Sequence, residues 1–262
     1  LEKRSIPTGK VTDVKNILIV FLLCGLIFIC AASCKTRKDG ANMSAPTTLS
    51  SEILHRVINL NQSGIGNSEQ IILITNDSIH SKDVIIQTFE KSNNEWRKKF
   101  DDIKGTIGSR GFSSWQQKRE GDKTSPTGIY KLGPVFGYAQ HADTRMDYRM
   151  AAENDYWIDD PASDDYNKWV TTETAPAVSH EVMKRHDNLY KLGIVVQYNT
   201  DHIVKGNGSA IFIHIQGSPG NPTSGCVALP ETDLYRIVQW LEKKKQPLII
   251  MGTLSELEQL QM

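Results

Sequence analysis

The stretch that decides the fold runs Ala210-Ile211-Phe212-Ile213-His214-Ile215-Gln216, then Gly217-Ser218-Pro219-Gly220-Asn221-Pro222-Thr223-Ser224-Gly225-Cys226, then Val227-Ala228-Leu229. Its β-branched and aromatic first third predicts a buried strand over 210–216, and the Gly/Ser/Pro/Asn cluster after it predicts a loop. His214 thus sits on a rigid element, and Cys226 ends a turn. That arrangement suits thiol nucleophilic catalysis, with an imidazole on a scaffold activating a sulfur beside small residues. Gly225 lets a substrate carbonyl approach the backbone, and consecutive N–H groups at Ser224 and Gly225 supply a candidate oxyanion hole. Taken singly, a cysteine is more often an inert core residue and a strand histidine structural. The pairing is what points to chemistry.

Working outward, Gln70 to Thr75 and Asp83 to Glu90 read as strands, and Asn93-Asn94 joins the second to a partner around Glu95 to Phe100 as a hairpin. Further strands are predicted at Gly128 to Leu132, Gly193 to Tyr198 and Pro247 to Gly252. Glu231 to Lys244 reads as a helix entered after Pro230, with Lys243 to Lys245 answering its C-terminal dipole. Ser179 to Arg185 is a second helix candidate, and Ser51 to Leu60 a short third. Strands outnumber helices and do not alternate with them as βαβ units would. The expected class is mainly β with a few helices, an α+β arrangement around a mixed β-sheet or sandwich.

The N-terminal third reads differently. Lys3, Arg4, Lys10 and Lys15 precede an uncharged run from Ile17 to Ser33, which ends Ala31-Ala32-Ser33-Cys34. A basic n-region, an apolar h-region and small residues before a cysteine resemble a bacterial lipobox, which implies cleavage before Cys34 and lipidation of its sulfur. An uncleaved anchor is the alternative, since the run is at the lower edge of the ~17–25 residues that span a bilayer. Leu1 points to an alternative start codon or a shortened reading frame. The expected organisation is a lipoprotein signal peptide at 1–33, a polar tether at 34–64 and one domain at 65–262, exported to the bacterial cell envelope and facing the periplasm.

Export sharpens the reading of Cys226. Cys24 and Cys30 fall in the removed segment and Cys34 is capped by lipid, so Cys226 has no intramolecular partner in a compartment where cysteines usually pair. Thirty basic residues balance thirty acidic ones, which gives no reason to expect nucleic-acid binding.

Several ordered motifs then carry a resemblance. Gly225-Cys226-Val227 with His214 upstream is similar to the catalytic segment of the L,D-transpeptidase (YkuD-type) family of peptidoglycan enzymes. Arg119-Glu120-Gly121-Asp122-Lys123-Thr124-Ser125-Pro126-Thr127-Gly128, leading to Phe136-Gly137-Tyr138, resembles that family's opening segment. Trp157-Ile158-Asp159-Asp160-Pro161, Tyr166-Asn167 and Tyr198-Asn199 resemble motifs of one of its subgroups. The resemblance covers about Gly105 to Gly252.

It implies a Cys226 nucleophile and a His214 general base, oriented by the main-chain carbonyl of Ile215. It implies neither metal nor cofactor, and peptidoglycan stem peptides as partners. The commonest family pattern carries Ser-His-Gly-Cys and an arginine soon after the cysteine; here Ser224 and Ala228 stand in this segment. That departure leaves transfer and hydrolysis both open. Weaker expectations place Asp159 and Asp160 on a substrate ammonium, or simply at the start of a turn before Pro161, and Tyr138, Trp157 and Tyr198 along the cleft, or by default in the core. Three functions follow as candidates: a lipid-anchored L,D-transpeptidase, a cysteine hydrolase trimming the same stems, and a non-catalytic peptidoglycan-binding lipoprotein.

Overall fold

The computed structural model describes residues 54–59 and 61–260. The expected signal segment, Cys34 and most of the expected tether lie outside them. Fifteen strands follow in chain order. The first eight are β1 (Gln70–Thr75), β2 (Asp83–Ser92), β3 (Glu95–Lys98), β4 (Ile103–Thr106), β5 (Phe112–Ser113), β6 (Ser125–Pro126), β7 (Gly128–Gly137) and β8 (Tyr148–Met150). The rest are β9 (Asp155–Ile158), β10 (Trp169–Thr171), β11 (His180–Val182), β12 (Leu192–Val196), β13 (Phe212–Ile215), β14 (Val227–Leu229) and β15 (Leu248–Met251).

The expected mixed sheet is present, and it closes on itself. Its order is β1-β15-β7-β12-β13-β14-β4-β2-β3, and an added β1–β2 pairing joins the ends, so eight strands form a ring with β3 and β8 as appendages. Closure removes the ring's open edges. Side chains alternate across its wall. Ile213 and Ile215 of β13 join the interior cluster with Ile72, Ile194, Val227 and Ile249. Phe212 and His214 belong to the other face, by the two-residue period of a strand. The helix Glu231–Trp240 adds Leu234, Ile237 and Val238 to the interior cluster, each 2% exposed or less. Such side chains contribute roughly 1.5–3 kcal/mol apiece.

Outside the ring, Ile71, Leu73, Phe89, Leu248 and Ile250 form another cluster, covered by Leu54, Val57, Ile65 and Leu257. Residues 54–59 are helical, as the sequence predicts for this region, and the short helix Gln62–Ile65 follows. Leu54 and Val57 are fully buried, so this part of the expected tether is packed against the sheet.

Three elements differ from the sequence reading. Ser179 to Arg185 is not a helix: β11 pairs antiparallel with β9, and β10 pairs with β9 on its other side, making a separate three-stranded sheet. Helix Glu231–Trp240 stops before the lysines, which occupy a following 3₁₀ turn. Their partners are carboxylates: Lys243 meets Asp147, Lys244 meets Glu242, and Lys245 meets Glu90 and Glu242. The third difference is Ala210, which lies outside β13 with φ +52°. The predicted hairpin at Asn93-Asn94 is there, both residues left-handed at φ 52° and 65° as a type I′ turn requires.

Candidate active site

β13 and β14 are parallel neighbours, with Ile213 opposite Val227 and His214 opposite Ala228. Cys226 immediately precedes β14. The crossover between the strands therefore delivers the thiol to the N-terminal end of β14, beside the outward face that carries His214. Both line one cavity of about 580 Å³. His214 is the one histidine among its described lining residues.

His214 is 6% exposed, and its Nδ1 is 2.9 Å from the Ile215 carbonyl oxygen. A carbonyl only accepts, so Nδ1 carries the hydrogen and Nε2 is left as a base. Burial holds the imidazole's pKa down at about 4, against the opposing pull of the Ile215 hydrogen bond. The ring is neutral at pH 7. Tyr190 packs edge-on against it with centroids 5.4 Å apart.

Cys226 is a free, buried thiol. Sγ donates to the Ala210 carbonyl at 3.2 Å and accepts from the Phe212 N–H at 3.4 Å. Burial pushes its pKa up to about 12, partly countered by that N–H. The resting pair is thus thiol and neutral imidazole, and attack requires the proton to leave as the sulfur advances.

The turn before Cys226 is held from below by the Ser125-Pro126 segment. The Ser125 hydroxyl donates to the Gly225 carbonyl at 2.6 Å and accepts from the Gly108 N–H at 3.0 Å. Gly225 sits at φ +151°, and a Cβ there would come 3.0 Å from the Thr124 carbonyl, so glycine is required. Its N–H donates to the Thr223 hydroxyl at 3.1 Å, and that hydroxyl donates to the Cys226 carbonyl at 2.6 Å. The Gly225 N–H is therefore committed within the turn and does not face a substrate oxyanion. Ser224 lines the cavity.

The opposite wall comes from the three-stranded sheet and its loops, through Asp159, Glu181 and Arg185. Arg185 pairs with Asp187 at 2.6 Å and Glu181 at 3.3 Å, and lies over the Tyr190 ring at 5.1 Å. Burial raises the Glu181 pKa, while Arg185 opposes it. Asp159 keeps a buried Oδ1 without a partner among the described residues. Lys118, 3% exposed, pairs with Asp122 at 2.7 Å. Burial works to raise the Asp122 pKa, but hydrogen bonds from Lys118 and two backbone N–H groups outweigh it and the net shift is downward.

Three expected ligand residues lie outside that lining. Asp160 accepts from the Ala162 N–H at 2.8 Å and closes its own turn. Tyr138 donates to the Arg185 carbonyl at 3.0 Å and accepts from the Arg185 N–H at 2.9 Å, fixing the loop from behind. Tyr198 is 1% exposed between Trp115 and Tyr130, and donates to the Asn207 carbonyl. Trp157 also packs in the core, edge-on to Phe212. Lys118, Glu120, Glu181, Arg185 and Tyr190 line the cavity, yet the sequence reading assigns them no role. Glu120 sits inside a quoted motif; the others had no spacing signal because separate elements bring them together.

The family model described as L,D-transpeptidase catalytic domain (YkuD) matches residues 83–250. No curated protein matches the chain. Among solved structures, the helical cell shape determining protein Pgp2 from Campylobacter jejuni is similar at 19% identity and TM-score 0.37, over 78% of this chain and 55% of that one. Bd1075 of Bdellovibrio bacteriovorus is similar at 14% identity and TM-score 0.39, over 73% of this chain and 52% of its own. The chain thus spans about half the length of these two proteins.

Proposed function

We propose, on the premise that this chain belongs to the L,D-transpeptidase catalytic domain family, that it is a cysteine acyltransferase acting on peptidoglycan stem peptides. The observation that carries this reading is the neutral His214, its Nδ1–H tied to Ile215 and its Nε2 left as a base, in the same cavity as an unpaired thiol.

In the first step His214 Nε2 takes the thiol proton as sulfur attacks a stem carbonyl. The tetrahedral intermediate collapses, the carbon–nitrogen bond breaks, and the departing amine of the terminal D-amino acid takes the proton from the imidazolium. The stem remains as a thioester on Cys226. In the second step an amine from a neighbouring stem attacks, His214 removes one of its protons, and that proton returns to the leaving sulfur. Water in place of the amine yields a carboxylic acid, which makes the same site a hydrolase.

Purified protein incubated with tetrapeptide muropeptides is expected to yield cross-linked dimers, read by mass spectrometry. Tripeptide monomers without dimers would move the assignment to hydrolysis, and unchanged substrate would leave a binding protein.

The proposal extends to the envelope. Ala31-Ala32-Ser33-Cys34 supports cleavage before Cys34 and attachment of lipid to its sulfur. Cys34→Ala is expected to abolish labelling by a lipid precursor. A mature wild-type mass that still includes Ile17 to Ser33 would refute the lipid anchor.

A further inference from the structure

Ala210 is a non-glycine residue in the left-handed region, φ +52°, two residues before the start of β13. That conformation is sparsely populated by alanine and persists only where the surroundings hold it. Both sides of the residue are held. Its carbonyl takes the hydrogen bond from the Cys226 thiol at 3.2 Å, and its N–H donates to Asn167 Oδ1 at 3.1 Å.

Asn167 is 3% exposed and comes from the loop between β9 and β10. Its Oδ1 also accepts from the Trp157 indole at 2.9 Å. Its Nδ2 donates to the Tyr198 carbonyl at 3.1 Å and the Asn199 carbonyl at 2.7 Å. One amide, with all four bonds made inside the protein, thus joins the three-stranded sheet to the segment carrying Ala210. Next to it, the Ser209 hydroxyl donates to Glu120 at 2.7 Å, and Tyr166 donates to the same carboxylate oxygen.

We propose that Asn167 is a positioning residue for Cys226: by anchoring the Ala210 N–H it fixes the carbonyl that holds the thiol hydrogen, so the resting nucleophile donates to Ala210 in place of His214. A carbonyl acceptor favours the protonated sulfur over the thiolate. Releasing Ala210 therefore frees the thiol to ionise more easily. The charged and titratable groups that share the cavity with Cys226 are His214 from β13, Glu181 from β11, Arg185 and Tyr190 from the loop after it, Asp159 after β9, and Lys118, Glu120 and Lys123 from the loop between β5 and β6. None changes in the variants below.

The test is the pH dependence of iodoacetamide alkylation of the full chain, followed at Cys226 by peptide mass. Asn167→Ala is expected to lower the midpoint by about one pH unit, which is about a tenfold faster reaction at any pH well below it. Asn167→Asp keeps an oxygen for the Trp157 and Ala210 donors, loses the two Nδ2 bonds, and adds negative charge. Its midpoint is expected to stay or rise even though its melting temperature falls. A midpoint that falls in Asn167→Ala but not in Asn167→Asp, at comparable stability, supports the proposal. Equal downward shifts would mean loosened packing alone, and an unmoved midpoint in Asn167→Ala would mean no clamp; either result overturns it. Should Asn167→Ala not fold, Asn167→Ser, whose hydroxyl is too short to reach Ala210, is measured in its place and read the same way. The proposal rests on Cys226 being the nucleophile, but alkylation needs no turnover. A wild type inactive on muropeptides would defeat the functional reading without touching this comparison.

Discussion

Cys226→Ala is expected to remove all turnover while the protein stays folded, losing about 1–3 kcal/mol from a small buried side chain and its one donated hydrogen bond. Cys226→Ser is expected to be almost as inactive. A hydroxyl is far harder to ionise than a thiol, and this site already opposes ionisation through burial. Intact-mass detection of a thioester after a single turnover distinguishes the cases: an adduct on wild type and none on either variant. Wild-type rates in either variant would end the cysteine mechanism.

His214→Ala is expected to slow acylation by at least ~10²-fold, the scale for losing a general base. The alternative imidazoles are placed elsewhere. His180 lies on β11 with its Nδ1 at the Val178 carbonyl and its ring against Tyr156, and neither His186 nor His202 lines the cavity. Alanine at any of the three is expected to leave acylation within a few-fold of wild type, on the order of an ordinary surface change. The pH profile follows from the same burial. Because the imidazole titrates at about 4, acylation should rise with pH through that value and then stay level across neutrality. Stability should move in the same direction. The folded value lies below the unfolded one of about 6.5, so the unfolded chain binds the extra proton between the two, and stability falls as pH drops from about 6.5 to about 4. Denaturant melts of wild type and His214→Ala across that window check the sign: the difference between them should shrink toward pH 4.

How much of this is legible in the sequence depends on which forces fix each element. β13 is readable because it is buried on both faces, so its β-branched and aromatic run over Ile211 to Ile215 is broken only by His214. The helix Glu231–Trp240 is readable from its apolar spacing and the proline before it. β4 and β14 are not, because each is short and gains its identity from its neighbour. Gly105 in β4 looks like a chain breaker, yet a Cβ there would stand 2.8 Å from the Ala228 carbonyl, and the glycine permits that close approach. β11 reads as a helix because its charged, polar segment has no strand pattern of its own; pairing with β9 supplies the conformation. The thiol and imidazole are visible as residue types, and the Tyr166-Asn167 pair as a motif. The four bonds that make Asn167 a hub are spatial and leave no spacing to find. Tyr138 and Tyr198 show the converse, since residues prominent in a motif turn out to support loops and core.

The two-beat alternation along β13 has an evolutionary corollary. Ile213 and Ile215 answer to the sealed interior, whereas His214 between them faces the cavity. Folding yield and chemistry are thus selected at adjacent positions on one strand, by separate pressures. Drift in the three-stranded wall that carries Asp159, Glu181 and Arg185 can reshape the cavity without passing through the ring. A census of tolerated substitutions in this chain should then show the ring frozen and that wall variable.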